Sequence, residues 1–282
     1  MLALRRQDDV AAEPGRRMLD PGKLPGRWIN TNAHGRGVAE IAIEADGGRL
    51  RLQAFSAGAS ALCAWGTTEA DLICGSDVRA HTAMAFAARY DFGTFQTELQ
   101  GNLNLGLLVV ASFNRIGAAG HDYFAREFYR RGDRKTAPPS VAWTAGFGRV
   151  GGDDPREPDP AAPGQPFDGA EMLGDWQNTN PDSNGIPRLR IESDGRHGAV
   201  LRAWGAQTPQ PVEWGPTSAA LFALSSGSRT AKAFSARYEM NDIAISLQAN
   251  IKQGVLVVAS FTEFKDGSGR SNYFHREFYY RS

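Results

Sequence analysis

The sequence predicts an all-β protein built from two tandem, homologous antiparallel up-and-down β-barrels of about eight strands each; a pair of β-sandwiches is the alternative. Three observations carry this expectation. First, the chain repeats itself. Trp28 recurs as Trp176 and Tyr90 as Tyr238, both at an offset of 148 residues. FAARYDFGTFQTELQGNLNLGLLVVASF (86–113) aligns without a gap to FSARYEMNDIAISLQANIKQGVLVVASF (234–261), with 14 of 28 positions identical. Second, no long segment shows helical i, i+3, i+4, i+7 periodicity, whereas period-two alternation is widespread. Third, the gaps between alternating runs are short and rich in Gly, Asp, Asn and Ser, which reads as a meander. A meander this long exposes two edges unless it closes, and about eight strands is a common closure.

In the first unit the strands are read in order. RWINTN opens it. VAEIAIEAD follows, with Ile41 and Ile43 on one face and Glu40 and Glu44 on the other. A Gly47-Gly48 turn leads to RLRLQAF. SALCAWG, ADLICG, TAMAFAARYD, FQTELQGNL, GLLVVASF and DYFAREFYRR complete eight or nine strands. NYFHREFYYR (272–281) closes the second unit, and KDGSGRSN (265–272) reads as a hairpin loop before it. The boundaries that follow are a disordered tail at 1–23, a first barrel at 24–132, a linker at 133–171 and a second barrel at 172–282. The linker is marked by its Pro, Gly and Asp; SVAWTAGF within it is apolar enough to dock on a neighbouring domain.

GRWINTN (26–32) and GDWQNTN (174–180) head the two units, and Arg ends both last strands. Gly-x-Trp in a first strand with Arg in the last resembles the calycin pattern shared by lipocalins, fatty-acid-binding proteins and avidins. The resemblance implies that Trp28 and Trp176 plug one end of each barrel. A basic side chain, Arg126 or Arg131 and Arg276 or Arg281, would pack across each plug. The first-to-last-strand spacing of about 100 residues is nearer the compact avidin type. No specific family is matched, so the resemblance implies a fold and a habit of binding small molecules.

Side chains at i, i+2 and i+4 of a strand share a face. Trp28, Asn30 and Asn32 therefore point one way, and so do their counterparts Asn178 and Asn180 above Trp176. If the Trp is a barrel floor, these amides line the lumen, where a few polar groups in an apolar wall suit a ligand. The competing reading is that they cap strand ends. Trp65 and Trp214 are core packing or pocket rim. Tyr123 and Tyr273 share a face with Glu127 and Glu277. That face is lumenal, or it carries a cross-strand ion pair such as Glu127 with Arg89, which is the favoured reading. The candidate ligand residues are thus Asn30, Asn32, Trp65, Tyr123, Asn178, Asn180, Trp214 and Tyr273. Candidate catalytic residues are Tyr90, Glu127, Tyr238 and Glu277.

Net charge is zero, from 31 basic and 31 acidic residues, which argues against nucleic acid as partner. No apolar run is long enough for a membrane helix, and the N-terminus lacks a signal h-region; the expected location is cytoplasmic. Cys63 and Cys74 are then two buried free thiols rather than a bridge. His34, His81, His121, His197 and His275 show no metal-ligand spacing, and no phosphate or dinucleotide loop is present. No metal and no cofactor are expected. The leading functional expectation is binding of a small, largely apolar molecule in a barrel lumen. A cofactor-independent cyclase or isomerase using that lumen is the alternative, and a lectin or protein-interaction module is the third. The two repeats are expected to pack on each other, and a homodimer is compatible with the sequence.

Overall fold

The computed structural model describes residues 19–32, 37–57, 61–75, 80–116, 121–133, 140–142, 167–195 and 198–282. His34, His197 and the linker stretch Trp143–Phe147 lie outside them. The described residues hold strands and turns and no helix. Strands β1 (Gly26–Asn30), β2 (Val38–Asp46), β3 (Arg49–Ser56), β4 (Leu62–Cys74), β5 (Ala83–Asp91), β6 (Gln96–Asn104), β7 (Leu107–Arg115) and β8 (Tyr123–Arg131) pair antiparallel in sequence order. β1 pairs β8 as well, with Trp28 opposite Arg131, so the sheet closes into an eight-stranded barrel. After β9 (Ser140–Ala142), the same order repeats. It runs through β10 (Gly174–Asn178), β11 (Arg188–Ser193), β12 (Ala199–Gly205), β13 (Val212–Phe222), β14 (Ala233–Met240), β15 (Ile243–Lys252), β16 (Val255–Phe264) and β17 (Tyr273–Arg281). β10 pairs β17, with Trp176 opposite Arg281, and closes a second barrel. Closure removes the exposed edges that the meander would otherwise present.

Local chemistry sets these elements. The β2–β3 turn uses Gly47 and Gly48, both at positive φ, as a two-residue hairpin of this hand requires. The β6–β7 and β15–β16 turns place Leu105 and Gln253 at positive φ, each followed by a glycine. Between the barrels, Ser140–Ala142 of the linker pairs in parallel with Leu62–Ala64 of β4. β4 has room for it because its first half is paired only to β3, β5 joining it from Ala70 onward.

Each lumen holds its own apolar core. In the first barrel Trp28, Ile41, Ile43, Leu52, Trp65, Tyr90, Leu99, Val110 and Tyr129 are buried against one another. In the second, Trp176, Leu189, Ile191, Leu201, Trp214, Tyr238, Leu247, Val258 and Tyr279 take the same places. The floors are built identically. Trp28 Nε1 donates to Leu24 O at 2.8 Å and Trp176 Nε1 to Met172 O at 2.9 Å. The guanidinium of Arg131 lies 5.0 Å from the Trp28 ring and that of Arg281 lies 5.2 Å from the Trp176 ring. Both arginines also donate to carbonyls of the turn before the first strand, Arg131 to Lys23 O at 2.9 Å and Arg281 to Leu173 O at 2.9 Å. Of the two basic candidates for each floor, Arg131 and Arg281 are the ones over the rings. Arg126 and Arg276 point the other way.

Candidate functional site

Alternation along β8 sends Tyr123, Glu127 and Tyr129 into the lumen and Phe124, Arg126 and Phe128 outward. Asn30, Glu127 and Tyr129 are hydrogen-bonded within the protein. Asn30 Nδ2 donates to Val38 O at 3.0 Å and to Glu127 Oε1 at 2.8 Å, and its Oδ1 accepts from Asn32 N at 2.9 Å. Asn178 repeats the pattern with Ile186 O, Glu277 Oε1 and Asn180 N. Asn32 and Asn180 lie past the ends of β1 and β10 and are exposed, so the shared face read from sequence stops at Asn30 and Asn178. The strand breaks there because each Asn side chain folds back on its own backbone two residues on.

The ion pair expected between Glu127 and Arg89 is not formed. Arg89 Nη2 instead approaches Glu98 Oε2 at 3.7 Å, because Arg89 is on the outer face of β5 and Glu127 is inside. Trp65 and Trp214 are buried inside the barrels, edge-on to Tyr90 and Tyr238 at 5.4 and 5.2 Å. The Tyr90 hydroxyl is held at the backbone of β3, accepting from Ala54 N at 3.0 Å and donating to Leu52 O at 2.9 Å. Tyr238 meets Leu201 O at 3.0 Å in the same way. Burial pushes both phenols well above their usual range. Tyr123 and Tyr273 are buried at the starts of the last strands.

The two glutamates differ. Burial pushes the Glu127 carboxyl up, against the hydrogen bonds from Asn30 and Tyr129. For Glu277 burial acts in the same direction but is outweighed. Hydrogen bonds from Ser183 and the Ile186 N–H, with the His275 imidazole 3.7 Å away, hold it below the usual range. Ser183 Oγ and Ile186 N both reach Glu277 in the second barrel.

The sequence leads one to expect the two repeats to pack on each other, but it does not say which faces meet at the seam. The outward faces of β5–β8 pack on those of β13–β17. Phe124 N donates to Ala223 O and Ala223 N to Asp122 O, while Cys74 N donates to Asn272 O. Tyr123 thus bridges Ala223 as Tyr273 bridges Cys74, a reciprocal pairing of the kind a two-fold axis imposes. Two apolar clusters flank that axis. One gathers Phe113, Phe124 and Phe222, the other Ile73, Phe261 and Phe274. Cys63 and Cys74 are free and buried.

Two grooves open along the seam. One, of about 440 Å³, is lined by residues of both barrels, among them Asp71, Arg89 and Glu98 from the first and Arg237, Ser246 and Glu263 from the second. The other, of about 320 Å³, is lined by Arg89, Gln96, Arg115 and Ser235 among others. Arg237 is held by Glu263 at 2.9 Å and by Glu239 at 2.6 Å. Asp71 has no hydrogen bond or ion pair among the described residues. Its side chain meets solvent at the groove's rim, yet the groove walls withdraw enough water to push its carboxyl up; the Glu263 charge adds to this and the Arg49 and Arg89 charges oppose it. Sequence could have pointed here. Arg89/Arg237 and Gln100/Gln248 are polar positions kept in both halves on strand faces that an isolated barrel would expose. Among the described residues no cluster of His, Cys, Asp and Glu is arranged to hold a metal ion, and no helix is long and apolar enough to cross a membrane. No protein-family model matches the chain, and no curated protein matches it.

Proposed function

We propose that this chain binds a small polar molecule carrying a cationic amine, in the larger groove between its two barrels. The observation that carries this is the Asp71 carboxylate. It is unpaired, faces a second carboxylate at Glu263, and lines a groove of about 440 Å³, within the size range of small-molecule sites. Glu263 is already paired with Arg237, so an ammonium group there would be drawn chiefly to Asp71. Arg89, more than two-thirds exposed, would meet an acceptor elsewhere on the ligand. The lumens support the reading less, since Asn30, Asn178, Tyr90 and Tyr238 already have protein partners. The experiment is a thermal-shift and calorimetric titration of the full chain with a panel of primary amines and amino acids. A saturable rise in Tm for members of the panel, lost in Asp71→Asn, supports the proposal. No response across the panel, or a response unchanged in Asp71→Asn, removes it.

A second reading, general-acid chemistry in the first lumen, is favoured by the raised Glu127 carboxyl beside Tyr129. A Glu127 side chain found fully ionised at pH 5 by carboxyl-carbon NMR would exclude it.

A further inference from the structure

On the axis between the barrels, Arg126 of β8 and Arg276 of β17 face one small cavity of about 10 Å³. The volume admits one water-sized particle. The rest of its wall is Gln100, Asn102, Gln248 and the apolar side chains Val109, Ala111, Phe113, Ala249, Ala259 and Phe261. No carboxylate lines it. The nearby acid at the seam, Glu98, is turned to other partners, accepting from Gln100 Nε2 at 3.0 Å and from Gln248 Nε2 at 3.2 Å. Arg276 Nη2 donates to Asn102 Oδ1 at 2.8 Å. The Nε atoms of both arginines are buried without an acceptor.

Each guanidinium lies over a phenylalanine ring, Arg126 at 5.7 Å from Phe124 and Arg276 at 5.3 Å from Phe274. Even so, a buried guanidinium cannot shed its proton at physiological pH, so a pair with no anionic partner at one cavity is a strong electrostatic demand. Removal from water pushes Arg126 down to about 10, and the Arg276 charge adds to the shift; burial lowers Arg276 as well. We infer that this cavity binds a single halide ion, chloride in the cell, held between Arg126 and Arg276 and joining the two barrels. A monatomic anion fits the space, accepts from both Nε–H groups, and offsets like charges that would otherwise push the barrels apart. Such charge-assisted contacts are stronger than neutral ones. Larger anions are excluded by size. The amide oxygens of Gln100 and Gln248 also lack donors, and they define the competing occupant: a water, which could donate to them.

The test uses the full chain. Crystals grown in sodium bromide are measured at the bromine absorption edge, and Tm is followed in sodium bromide or chloride against sodium gluconate at equal ionic strength. The expected results are an anomalous peak between Arg126 and Arg276, and a Tm that rises by a constant increment per tenfold halide, the signature of a ligand bound only by the folded state. Arg126→Met should abolish the halide dependence. If that variant does not fold, the wild-type anomalous map decides alone. No anomalous peak, with equal Tm in halide and gluconate, would mean a water occupies the cavity and overturns the inference.

Discussion

The two barrels share a floor and part company at the other end. At the floor the match reaches single atoms: each Trp Nε1 finds a carbonyl four residues back, and each terminal Arg covers the ring. Further up, Thr97 donates to Asn114 at 2.8 Å inside the first barrel, where the second has Ile245 and Thr262. Phe92 and Phe95 stack on each other and meet Trp65 edge-on in the first; Met240 and Ile243 fill the second. The same glutamate is pushed up in one barrel and held down in the other. The floor is what closure requires and so is kept. The upper lumen tolerates any filling that packs and satisfies its polar atoms.

The strongest way to break this comparison is at the floor. Trp28→Ala and Trp176→Ala should each cost about 3–5 kcal/mol, by equal amounts, in denaturant unfolding. Markedly unequal losses would mean the floors are not equivalent. Next comes Gly101, whose added Cβ would come within 2.2 Å of the Phe86 ring. Gly101→Ala should destabilise by about 1–3 kcal/mol through overpacking. The reverse change in the second barrel, Ala249→Gly, should cost about 0.5–1 kcal/mol.

The glutamates sharpen the comparison through pH. Glu277 is held below its unfolded value of 4.5. Its stabilisation is therefore present above that value and lost as pH falls through the folded pKa. Glu127 is raised above 4.5, so the folded state binds the extra proton and stability declines as pH rises through its folded pKa. Glu277→Gln should cost about 2 kcal/mol at pH 7, the scale for hydrogen bonds to a charged group. Glu127→Gln should be neutral or stabilising at pH 7 and flatten the decline above pH 4.5. Urea midpoints at pH 3 and pH 5 for Glu277→Gln, and at pH 5 and pH 7 for Glu127→Gln, check the signs. The smallest effect belongs to the surface. Glu239→Gln removes an exposed partner of Arg237 and should cost about 0.5 kcal/mol.

Much of the fold was legible because β-structure writes itself in alternation. Ile41 and Ile43 and the Gly47-Gly48 turn follow from local pattern, whereas the Trp28–Arg131 pairing is implied only by the calycin resemblance, which leaves Arg126 open as the partner. The Asn-x-Asn reading failed halfway because strand length is not in the alternation; β1 stops at Asn30, where the amide turns back on the chain. The seam was the least legible part. Glu98, Gln100 and Asn102 alternate with Thr97, Leu99 and Gly101 like any solvent-facing set, and only the packing of one barrel on the other buries them. Asp71 and Glu263 are nearly two hundred residues apart, so nothing local announces that they meet.

We propose that ligand binding sits between the barrels rather than inside them. Calorimetric titration of the most responsive amine into wild type, Asp71→Asn and Glu127→Gln puts it to the test directly. The account predicts binding lost in Asp71→Asn and kept in Glu127→Gln; binding kept in Asp71→Asn and lost in Glu127→Gln would contradict it.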